Sequence, residues 1–77
     1  MNRGTMTSPV FQNQTGDVFY EALGVKAAFE YYGKRNLDRQ GIIESAELLY
    51  SIWSKCDMKW YYFAQGFRFG AYCLLTN

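Results

Sequence analysis

The chain of 77 residues has room for one small domain and not for a two-domain enzyme. It contains no histidine, which removes imidazole acid–base catalysis, Ser-His and Cys-His nucleophile pairs and every histidine-bearing metal site. Eight Lys and Arg against seven Asp and Glu leave a net charge of +1, too little for a protein that holds nucleic acid mainly by bulk electrostatics, while 19% aromatic residues excludes a disordered chain.

Residues 1–15 are polar, with Gly4, Ser8, Pro9, Asn13 and Gln14, and lack the apolar run of a signal peptide. They read as a flexible leader, followed by a single small helical domain over 16–77. The first helix is expected from Asp17 to Tyr32, capped by Thr15 or Asp17. Val18, Ala22, Val25, Phe29 and Tyr32 recur at steps of 4, 3, 4 and 3 and so share one stripe, with Lys26, Glu30 and Lys34 on the opposite face. Gly24 inside this helix costs about 1 kcal/mol relative to Ala and would permit a close helix contact.

The stretch from Gly33 to Gly41 is the most polar and carries the basic cluster Lys34, Arg35 and Arg39. A second helix, from Asp38 or Gly41 to Lys55, repeats the same steps at Ile42, Ala46, Leu49, Trp53 and Cys56, with Glu44, Glu47, Ser51, Ser54 and Lys55 on its other face. Two matched stripes joined by a short linker predict an antiparallel helical hairpin.

The last segment, Met58 to Leu75, is broken only by Lys59, Gln65 and Arg68. As a helix it has a narrow stripe of Phe63, Gly66, Gly70 and Cys73, and a bulkier one of Trp60, Ala64, Phe67, Ala71 and Leu74. A helix apolar nearly all round needs burial on more than one side. The first two helices are expected to cover one of its sides, leaving the other for a second copy or a partner. The competing arrangement is a β-hairpin turning at Gln65-Gly66, with Phe67, Phe69, Ala71 and Cys73 alternating. The predicted fold is therefore an all-α three-helix bundle, with two amphipathic helices and a largely apolar C-terminal one. An α+β arrangement with a C-terminal hairpin is the alternative.

No catalytic set emerges, and the chain is expected to be no enzyme. Glu44 and Glu47 lie one turn apart, but on a polar face, where they read as solvated. Gly66 and Gly70 lack the Lys-Ser/Thr of a phosphate loop. Cys56 and Cys73 are too few to complete a zinc site and read as free, mostly buried thiols in a reducing cytoplasm, with one disulfide between them as the other option. No metal and no cofactor is expected. Gly66 and Gly70, four apart, have the small-residue spacing that lets two helices approach closely, within the bundle or across a dimer. Arg68 and Gln65 near the middle of that run disfavour a membrane role.

What remains is contact. Seven Tyr, six Phe and two Trp are a heavy load for a domain that buries only about 60% of its unfolded surface. Trp60, Tyr61, Phe67, Arg68, Phe69 and Tyr72 are the candidate partner-binding residues, since Trp, Tyr and Arg dominate interface energetics; each has core packing as its plain alternative. In length, balance of charge and lack of a site, the chain resembles the short accessory proteins of bacterial viruses and mobile elements. That resemblance implies an inhibitor or adaptor that blocks a surface of a larger host protein. Two alternatives stand beside it: a nucleic-acid-binding protein using Lys34, Arg35 and Arg39, and a self-associating structural protein.

Overall fold

The computed structural model describes residues 9–76, with side-chain surroundings from residue 17 onward. Three helices follow one another: α1 (Pro9–Gly33), α2 (Arg39–Trp53) and α3 (Met58–Leu75). There is no strand among the described residues, so the C-terminal hairpin is overturned. Gly66, its expected turn, is buried inside α3. Both 3.6-spaced stripes of this segment find cover, which a two-stranded ribbon would not have given them.

Local chemistry sets the helix ends. The Asp38 carboxylate caps α2 by accepting from the Gly41 N–H at 2.7 Å, and Asp57 caps α3 by accepting from the Trp60 N–H at 3.0 Å. α1 begins at Pro9 and not near Asp17. Proline at a first helical turn loses no hydrogen bond, since that N–H has no intrahelical partner. Thr15 and Asp17 therefore lie within the helix and not at its start, and residues 9–15 of the expected leader are helical. Residues 1–8 lie outside the described residues.

The expected hairpin of α1 and α2 gives way to a different arrangement, in which α3 is the hub. α1 runs parallel to it: Glu21 faces Gly66, and Val25 and Ala28 face Gly70. α2 runs antiparallel, with Arg39 at Leu75, Glu47 at Arg68 and Trp53 against Trp60. α1 and α2 barely touch each other. The Tyr32 and Ser45 hydroxyls, 2.7 Å apart, link them near their connection.

Small residues explain the hub. A Cβ on Gly66 would fall on the carbonyl of Glu21, and one on Gly24 would fall on the carbonyl of Phe63, 2.7 Å from the Phe67 nitrogen. A Cβ on Gly70 would lie 3.0 Å from that of Ala28. The backbones of α1 and α3 are therefore in contact, with Gly24 and Ala28 on one helix meeting Gly66 and Gly70 on the other. The α2 side is bulkier: Ile42, Leu49 and Trp53 pack around Ala46, Phe67 and Ala71. Gly66 and Gly70 on one stripe of α3 and Ala64, Phe67 and Ala71 on the other are buried within the chain, while Trp60 at the start of the second stays 43% exposed.

A core closed by glycine and alanine is thin. Ala28, Ala46, Ala64 and Ala71 are fully covered, Phe67 is 2% and Tyr32 5% exposed, and no large described side chain is completely buried. Of the stripe expected to face the core, Val18, Ala22 and Phe29 point away from it, Val18 at 62% exposed, while Val25 is half-buried beside Gly70. Only Tyr32 of that stripe is buried.

Candidate interaction site

The site is built on the N-terminal half of α3, where α1 stands on one side and the end of α2 on the other. The Asp57 cap fixes the first turn of α3 and with it the backbone of Trp60. The Trp60 ring lies against Trp53, with centroids 5.7 Å apart, and meets Phe63 edge-on at 5.3 Å. Tyr20 and Leu23 of α1 complete a groove of about 230 Å³ with Lys59, Trp60 and Phe63. Its lining is almost wholly apolar, and Leu23 and Trp60 remain more than one-third exposed. Lys59 places its ammonium 6.0 Å from the centre of the Tyr20 ring, at the edge of the groove. The arrangement offers a rigid aromatic ledge, an apolar slot and one cation.

The other candidate residues of α3 separate into distinct roles. Phe67 is core: it contacts Tyr31, Tyr32, Trp53 and Phe63, and its burial removes it from the partner-binding set. Arg68 is engaged within the chain, its Nε donating to Glu47 Oε2 at 3.0 Å and its guanidinium 4.7 Å from the Tyr50 ring centre. The Tyr72 hydroxyl donates to the same Glu47 oxygen. Donation to that carboxylate is the largest cause that holds the Tyr72 pKa above its ordinary value, with burial adding to it. Tyr61 accepts from the Gln65 amide at 2.9 Å on its own helix. Phe69, at 64% exposed, is free. Gly66 and Gly70 are packed against α1, so their close contact lies within the chain.

The basic cluster is divided in the same way. Arg35 lays its guanidinium 3.6 Å from the Tyr31 ring centre and donates to the Tyr31 carbonyl at 3.1 Å. Arg39 donates to the Leu75 carbonyl at 2.9 Å, satisfying one acceptor at the end of α3. Lys34 is exposed. Cys56 and Cys73 are free thiols near opposite ends of α3, separated by roughly 22 Å of helix rise, far beyond disulfide reach; Cys56 is exposed and Cys73 half-buried, so the expectation of buried thiols is corrected. Among the described residues no three Cys, Asp or Glu side chains gather as a metal would need, and no helix is long and apolar enough to cross a membrane.

Sequence reasoning missed Tyr20, Leu23 and Phe63 as groove residues, Lys59 as its cation, and Glu47 as the acceptor at the centre of a cross-helix network. It also missed the Asp57 cap, although an aspartate directly before a long apolar run is a start signal that could have found it. The Glu47 pairing was not, because Glu47 and Arg68 lie on different helices. Comparison of the chain with protein-family models, with curated proteins and with solved structures gives no match in any of the three.

Proposed function

We propose that the chain is a non-enzymatic protein-binding module, an inhibitor or adaptor that acts by covering a surface of a larger protein. The observation that supports this reading is the groove of Tyr20, Leu23, Lys59, Trp60 and Phe63, which keeps a tryptophan and a leucine partly exposed on a rigid helical ledge. Tryptophan, already held by neighbouring rings, loses little entropy on binding and is the residue type most enriched among interface anchors. The groove suits a partner segment that inserts an apolar side chain and presents an acidic group to Lys59. The basic linker gives less support to nucleic-acid binding, since Arg35 and Arg39 already engage carbonyls of the chain.

The test compares wild type with Trp60→Ala and Leu23→Ala in affinity capture from nuclease-treated host lysate, with circular dichroism as the check on fold. A near-stoichiometric partner retained by wild type and lost by both folded variants supports the reading. A catch that disappears with nuclease, or one that both variants retain, overturns it.

A further inference from the structure

We infer that α1 carries a self-association surface, on which two copies of the chain pair side by side and in parallel through Val18, Ala22, Val25 and Phe29. Val18, Ala22 and Phe29 are exposed, Val18 at 62% and Phe29 at 44%, and Val25, half-buried with its backbone against Gly70, completes an apolar stripe that α3 covers only in part. Beside the stripe runs a groove of about 460 Å³ between α1 and α3, and Phe69, 64% exposed, stands on its wall. A monomer rarely leaves so continuous an apolar face in water.

Charge and register identify the occupant as a second copy. The steps of 4, 3 and 4 place Val18 and Val25 at d positions of a heptad and Ala22 and Phe29 at a positions. Glu21 then falls at g, and Phe19 and Lys26 at e. In a parallel pair the g residue of one helix meets the e residue five positions on in the other, which sets Glu21 against Lys26 of the second copy, and Lys26 against its Glu21. An antiparallel pair brings g toward g and sets the two Glu21 carboxylates near each other, a like-charge contact.

The position of α3 agrees with the parallel choice. Gly66 seats α3 against the backbone of Glu21, so α3 occupies the g side of α1 and leaves the e side open. In the parallel pair each α3 therefore overhangs the open e side of the other copy. The arrangement is a closed two-fold contact, so it stops at a dimer. It uses a face distinct from the Trp60 groove and does not rest on the protein-binding reading.

Sedimentation equilibrium of the full chain up to about 100 µM is the first test, and a dimer is expected. Lys26→Glu and Glu21→Lys should each weaken the dimer by about tenfold, by turning two attractions into repulsions, and the double variant should restore it. Lys26 is exposed and Glu21 half-buried, and circular dichroism verifies the fold of each variant. For orientation, Val25→Cys in a chain whose Cys56 and Cys73 are replaced by Ser should cross-link to itself on oxidation. A monomer throughout the range overturns the proposal. So does a double variant as weak as the single ones, or a Val25→Cys chain that couples only to an Ala22→Cys chain, the antiparallel signature.

Discussion

Glu47 shows how one side chain can connect three. It accepts from Arg68 and from Tyr72, and Arg68 in turn faces Tyr50. The ion pair is about 40% exposed on both sides and so contributes about 0–1 kcal/mol. Its clearer signature is in titration. Tyr72 is held above the ordinary tyrosine value of 10.0, first by donating to Glu47, and Tyr32 is held above it first by burial. A group whose pKa is raised by folding favours the folded state below its unfolded value, and that contribution is lost as pH climbs through the folded one. Stability should therefore fall above pH 10. In an alkaline titration followed by phenolate absorbance, Glu47→Gln should ionise one tyrosine earlier than wild type. Coincident curves would show that Tyr72 does not feel the carboxylate.

At the scale of the helix, the sequence made α3 and α2 legible and misplaced α1. The bounds of α3 match its apolar run and its two stripes fit helical spacing, but that spacing left a β-hairpin open until the helix buried both Gly66 and Gly70. Ile42, Ala46, Leu49 and Trp53 face the core of α2 as their period requires, whereas Cys56 lies past the helix end and is exposed. For α1 the period pointed to Val18, Ala22, Val25 and Phe29, yet Gly24 and Ala28 face α3. Periodicity weighs side chains by apolar bulk and gives glycine no weight. Packing gives weight to how closely two backbones can approach, and Gly24 against Gly66 allows contact that valine would prevent. The groove and its cation were beyond the sequence for a related reason: Tyr20 and Trp60 are brought together only by the α1–α3 register. The same contact gives a prediction. Gly66→Ala should cost about 1–3 kcal/mol or more, since the methyl meets backbone that cannot move without parting the helices. Gly33→Ala, with no neighbouring atom within 4 Å, should be neutral or should stabilise by about 0.4–1 kcal/mol. Equal urea midpoints for the two variants would mean that α1 and α3 are not in backbone contact.

For the whole molecule, the consequence is a division of labour among its rings. A centre closed by Ala28, Ala46, Ala64 and Ala71 leaves space for few aromatic side chains, and Phe67 and Tyr32 take it. Trp60, Phe69, Phe19 and Phe29 remain outside, distributed over two faces. One is the slot between α1 and the start of α3, and the other is the outer face of α1 with its groove toward α3. With a net charge of +1, neither long-range attraction nor repulsion dominates its encounters, and apolar contact is the main way left to hold a partner. That account depends on which rings hold the fold and which do not, and two phenylalanines only two residues apart on α3 decide it. The direct measurement is the unfolding free energy of Phe67→Ala and Phe69→Ala beside wild type, from urea denaturation. Phe67→Ala should lose about 3–5 kcal/mol and Phe69→Ala no more than about 0.5 kcal/mol. Comparable losses at both positions, or the larger loss at Phe69, would contradict the account.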